Sequence, residues 1–150
     1  MEDDIDVVRD PTIIPNLIDQ LDALIGYDGW DILFTDKDTK GKNGNYVPCI
    51  GYAKRPNFKP INPQQYFFKE VISDNFRRIG ARYGTYSMII RRSGIEKILN
   101  FFLKHQVFLP YDMEFYLPDK IKIYAIQDDV VSTIPGTLSD NGRPRYLNKK

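Results

Sequence analysis

The chain has 150 residues, with 21 lysines and arginines against 20 aspartates and glutamates for a net charge of +1. That balance lacks the basic excess of a general nucleic-acid binder. A 42% hydrophobic and 13% aromatic content describes a globular chain that can bury one moderate core, not a disordered one.

A single cysteine, Cys49, excludes an internal disulfide framework and a cysteine-based zinc site. No apolar run approaches the roughly 18 residues of a membrane span. The acidic N-terminus does not read as a cleavable signal, so the expected location is cytoplasmic, in solution or peripheral to the membrane.

The chain opens on "MEDDIDVV". In an extended segment Glu2, Asp4 and Asp6 share one side and Asp3 takes the other. By themselves these acids read first as a solvated terminus and second as hard oxygen ligands for a cation. Residues 11–25 then place Ile14, Leu17, Ile18, Leu21, Leu24 and Ile25 at the spacing of one buried helix face, with Gly26 as the stop. "WDILFTD" (30–36) predicts a buried strand with Asp36 at its carboxyl end.

Residues 37–63, rich in Gly, Asn, Lys and Pro, predict a long loop holding at most a short hairpin. Residues 64–79 read as mixed or helical, anchored by Phe68, Ile72, Phe76 and Ile79. Residues 85–90 read as a strand. Ser93 and Glu96 have the spacing of a capping box ahead of a helix faced by Ile95, Ile98, Leu99 and Phe102. Pro110 breaks the chain, and Asp112 sits where a short helix could begin. Residues 120–129 alternate as a strand ending in Asp128 and Asp129, and residues 139–150 read as a tail. Strands alternating with helices predict an α/β sheet, with acids gathered at strand ends, where such sheets place ligand chemistry.

Taken in order, "EDD" (2–4), "WDILFTD" (30–36), "GARYGTYSMIIRRSGIEKI" (80–98), "LPYD" (109–112), "IYAIQDDVVS" (123–132) and "SD" (139–140) cover nearly the whole chain. In that order they resemble glycosyltransferase family 25, the lipopolysaccharide-biosynthesis and procollagen galactosyltransferase group. The resemblance implies a GT-A-like nucleotide-sugar transferase fold. It also implies transfer of a hexose, commonly galactose, from a UDP-sugar to a hydroxyl of a saccharide or glycolipid acceptor. Family members carry a portion ahead of "EDD" with the first strands of the nucleotide-binding unit. The resemblance therefore makes residues 1–150 the C-terminal two-thirds of a single domain, incomplete at the N-terminus. A sheet edge would be exposed near residues 2–8 and open to self-association.

On the same resemblance Glu2, Asp3 and Asp4 become a site for a divalent cation, Mn²⁺ or Mg²⁺, which would assist the departing nucleoside diphosphate. Asp112 becomes the base of an inverting transfer, with Glu114 the runner-up; its competing role is that of a helix cap. Arg82 and Tyr86 are the expected substrate contacts, as phosphate partner and ring platform. Turn, core and solvated-face roles are expected for Arg77, Arg78, Tyr83 and the strand-end acids. His105 lacks a second histidine or nucleophile, and Cys49 lacks a partner. The rival reading, of a different class, is a non-catalytic remnant that binds a carbohydrate or a partner.

Overall fold

The computed structural model describes residues 5–38 and 47–133. β1 (Ile5–Val7) leads to a 3-10 turn, Pro11–Ile13, where the Asp10 carboxylate accepts the Thr12 N–H at 2.9 Å. That cap starts the 3-10 turn, which runs directly into helix α1 (Ile14–Ile25), and Gly26 ends the helix at φ 86°. Of the apolar stripe read from the sequence, Leu17 and Leu21 are buried, while Leu24 is 47% exposed.

β2 (Ile32–Phe34) is an interior strand of the sheet. β3 (Lys69–Val71) and β4 (Phe76–Ile79) form a hairpin, β5 (Met88–Ile90) precedes helix α2 (Arg92–His105), and β6 (Ile123–Ile126) and β7 (Val131–Thr133) close the described chain. The five-stranded sheet runs β3-β4-β6-β2-β5; β2 and β6 are parallel, and the other pairs are antiparallel. β1 pairs with β7 in a separate two-stranded ribbon. The architecture is mixed α/β.

Side chains alternate across the sheet with period two. Ile32, Phe34, Ile123, Ala125 and Ile79 face α2, where Ile98, Phe101, Phe115 and Tyr116 meet them. Leu33, Tyr124, Ile126 and Phe76 face α1 through Leu17, Leu21 and Trp30. Both faces of β2 and β6 are therefore covered, which is why these strands read as continuous apolar runs. Asp31 locks α2 onto the sheet. It is 2% exposed and accepts from Ser93 Oγ at 2.7 Å, Lys97 Nζ at 2.6 Å and Lys122 N at 2.7 Å. Burial would raise the Asp31 carboxyl, but these donors outweigh it and leave it below its usual range.

Residues 64–79 are mixed rather than helical, the first of the two readings: a 3-10 stretch, Pro63–Phe67, precedes the β3–β4 hairpin. Phe76 and Ile79, spaced as helix neighbours, lie on opposite faces of the sheet. The turn between the strands is held by Phe76 N donating to Ser73 Oγ at 3.2 Å, a Ser-Asp-Asn signal the helical reading passed over. Ser93 forms no capping box: α2 is capped at Arg91 without a side-chain bond, Ser93 binds Asp31, and Glu96 pairs with Arg92 at 2.9 Å. Nor do the described residues of 37–63 hold a hairpin; Gly51–Lys54 is a 3-10 turn.

Gly80 carries the tightest approach in the fold. A Cβ there would lie 1.7 Å from the Gln65 carbonyl oxygen, a backbone atom that cannot swing away. Gly80→Ala should lower stability by about 1–3 kcal/mol, as overpacking does, measured as a lower urea midpoint with an unchanged m-value.

Candidate functional site

Two parallel strands end side by side, and their carboxyl ends carry acids. Past β2 come Thr35, Asp36, Lys37 and Asp38; past β6 come Gln127, Asp128 and Asp129. Residues 80–87 return from the end of β4 to the start of β5 and bring Arg82 and Tyr86 to the same place. Arg82 Nη1 meets Asp36 Oδ1 at 2.6 Å, Arg82 Nη2 meets Asp36 Oδ2 at 3.2 Å, and the Tyr86 hydroxyl donates to Asp36 Oδ2 at 2.7 Å. Arg82 Nη2 also reaches the Tyr86 oxygen at 2.8 Å, and its guanidinium lies 4.1 Å from the centre of the Phe34 ring. Arg82 and Asp36 are each 1% exposed. Burial disfavours the Arg82 charge, and the Asp36 carboxylate more than reverses this, leaving the guanidinium raised above its ordinary value.

The neighbouring acids are also engaged. Asp38 pairs with Arg77 at 2.9 Å and with Lys69. The Asp129 carboxylate accepts Lys37 N at 2.6 Å, and Arg9 Nε donates to the Asp129 carbonyl at 3.2 Å. Asp128 is exposed. Glu114, the second choice for a base, is wholly buried: Arg55 Nη1 meets it at 2.7 Å and Leu109 N donates to it at 2.7 Å. Arg55 also donates to the carbonyls of His105 and Gln106, both at 2.6 Å, closing the C-terminal end of α2.

Asp112 is different. It lies in the 3-10 turn Tyr111–Met113, is half-buried, and neither caps that turn nor accepts a hydrogen bond from any described residue. Pro110 holds the cap position, so the expected capping role is corrected. Its negative charge acts on Cys49 and Tyr83, helping to raise both. Cys49 is buried and pushed up to about 12, chiefly by loss of solvent and then by Asp38. Tyr83 and Tyr116 stand beside it. Their hydroxyl oxygens accept Ile50 N at 2.9 Å and Gly51 N at 3.1 Å, which fixes residues 50–51 against the core.

The fold thus brings Arg82 and Tyr86 together, but around Asp36 and inside the protein. Sequence reasoning named the two as substrate contacts and missed Asp36, the partner that holds them in the interior. The pattern of Arg, Tyr and a strand-end Asp was present, but nothing in it showed that residues 46 and 50 positions apart converge. The Arg55–Glu114 and Asp38–Arg77 pairs had no signal at all. Glu2, Asp3 and Asp4 lie outside the described residues, as does the tail 139–150. Among the described residues no cluster of histidine, cysteine, aspartate or glutamate could hold a metal ion, and no helix is long and apolar enough to cross a membrane. Comparison of the chain with protein-family models, with curated proteins and with solved structures finds no match. The likeness to glycosyltransferase family 25 therefore rests on the ordered motifs.

Breaking the buried pair should be severe. Asp36→Ala leaves the Arg82 charge without its main partner and should cost about 3–5 kcal/mol, whereas Tyr86→Phe removes one hydroxyl and should cost about 1 kcal/mol; chemical denaturation checks both.

Cys49 sets an alkaline limit. Unfolded, its thiol ionises near 9; folded, it holds its proton to about 12. Between those values the unfolded chain binds fewer protons than the folded one, so stability falls as pH rises through that window. The melting temperature should decline from pH 9 upward, and Cys49→Ala should make the decline shallower.

Proposed function

We propose that this chain is a sugar transferase of the glycosyltransferase family 25 type, built on a GT-A-like sheet. In this reading it moves a hexose, galactose first among them, from a UDP-sugar to a hydroxyl of a saccharide or glycolipid. The ordered motifs supply the family, and acids at the carboxyl ends of β2 and β6 agree with it. One observation carries the reading: Asp112 keeps a carboxylate with no hydrogen bond from any described residue, while Asp31, Asp36, Asp38 and Glu114 are committed to buried partners. A base must be within reach of an acceptor hydroxyl and not already engaged. Asp112 would take that proton as the hydroxyl attacks the anomeric carbon.

Glu2, Asp3 and Asp4 complete the proposal as ligands of Mn²⁺ or Mg²⁺, since three carboxylates offer the hard oxygens such ions prefer. The bound ion would supply charge neutralisation to the leaving diphosphate. In this scheme Arg82 and Tyr86 act through the fold: they hold Asp36 and the strand end in place rather than contact the donor. That engagement is also what favours the rival reading, a carbohydrate- or partner-binding module without transferase activity.

The test is transfer from UDP-galactose to a saccharide acceptor with Mn²⁺ present. Asp112→Asn should lower the rate by about 10²–10⁴-fold and leave the melting temperature unchanged, because Asp112 makes no cap bond to lose. Substantial transfer by the Asn variant removes Asp112 from the mechanism. No transfer by the parent chain, with saccharide binding intact, favours the binding module.

A further inference from the structure

Open volume is found at the opposite end of β2 and β6. Where β4 ends and β6 begins, two clefts of about 370 and 710 Å³ adjoin and share Asn62, Gln65, Tyr66 and Pro118. Neither is lined by Asp36, Arg82, Tyr86 or Asp112. Each is the size of a small-molecule site, and end to end they form a trough longer than one sugar ring.

Charge is concentrated there. Arg78 and Lys120 line the smaller cleft, and Lys59, Lys97 and Lys104 line the larger; among the described residues Asp119 is the one carboxylate lining either. The chain as a whole is almost neutral, so this is local. Lys97 is engaged by Asp31, but Arg78, Lys120, Lys59 and Lys104 form no ion pair with a described residue. A concave surface of one sign focuses its field and attracts the opposite charge.

Between the cations lie amides. Asn100 makes no hydrogen bond to a described residue, and Asn62 uses its carbonyl oxygen for Gln64 N at 3.1 Å, which leaves its amide nitrogen as a donor. The half-buried Phe58 and the exposed Phe68 add apolar surface. The walls are preformed. Gln65 is pressed on Gly80, the Tyr66 hydroxyl donates to the Leu117 carbonyl at 3.4 Å, and Asn57 Nδ2 donates to the His105 carbonyl at 2.7 Å. A preformed cleft loses little ordering entropy when it binds.

We propose that this trough binds an acidic oligosaccharide. Lysines and Arg78 would pair with its carboxylates or phosphates, amides would meet its hydroxyls, and the exposed Phe68 would take the apolar face of one ring. Single-stranded nucleic acid fits less well. It needs ring faces free for successive bases, and here the rings are spent on one another: Phe58 on Phe101 at 5.0 Å, Tyr66 on Tyr52 at 5.1 Å. The inference concerns binding alone and stands whether or not the chain transfers sugar.

Calorimetric titration of the full chain at low salt tests it, with oligogalacturonate, a maltooligosaccharide of equal length and oligothymidylate of equal charge. Oligogalacturonate should bind, and the other two should bind more weakly. Lys104→Glu and Arg78→Glu, both at exposed positions, should each weaken binding about tenfold, while Lys54→Glu, exposed and outside the trough, leaves it unchanged; circular dichroism checks that each variant is folded. The proposal is overturned if oligogalacturonate does not bind, if oligothymidylate binds equally well, or if either cleft variant keeps the parent affinity.

Discussion

The interaction on which this structure turns is the buried pairing of Arg82 with Asp36, shared by the Tyr86 hydroxyl. An unpaired guanidinium at 1% exposure would be untenable, because desolvating a charge costs several kcal/mol. Arg82 must therefore sit where Asp36 is, and Asp36 sits where β2 ends. That requirement draws residues 80–87 across the face of the sheet, delivers β5 beside β2, and places α2 immediately after it. Phe34 beneath the guanidinium gives the charge a polarisable floor. The same strand is fixed at its other end by Asp31, whose three donors come from α2 and from the entry to β6. β2 is thus bracketed by two buried carboxylates, and the rest of the fold is hung between them.

That arrangement divides the molecule by strand end. At the carboxyl ends of β2 and β6, where α/β sheets commonly take their ligands, the acids are mostly consumed by internal partners; Asp128 is exposed, and Asp112, beside Cys49 and Tyr83, accepts no hydrogen bond from a described residue. At the amino end of β6 the volume is open and its rim is basic. One end can offer a base, and the other can offer an electrostatic grip on an extended anion.

The long loop shows how the two ends communicate structurally. Tyr83 and Tyr116 hold the backbone at Ile50 and Gly51, and Tyr52 stacks on Tyr66, which in turn reaches Leu117. Arg55 then ties the segment to the end of α2 and to Glu114. A stretch that reads as polar connector is thereby anchored by aromatic hydroxyls and one buried ion pair. Few of these contacts are apolar; what orders the segment is the need to satisfy backbone and side-chain polar groups once they are buried.

Local pattern was enough for the parts whose periodicity is intrinsic. The 3.6-residue stripe of α1, its Gly stop, and the two-sided apolar runs of β2 and β6 were all legible, because each is set by residues within one element. So was the α/β class. What only the tertiary structure decided was partnership. Phe68, Ile72, Phe76 and Ile79 carry a helical spacing, yet pairing of β4 with β6 made that stretch a strand. Ser93 and Glu96 spell a capping box, yet Asp31 took the serine. Asp112 looked like a cap, and Pro110 holds that position instead. In the first two cases a partner far along the chain outbid a neighbour, because the cost of leaving a buried charge or strand edge unsatisfied exceeds what a local motif returns.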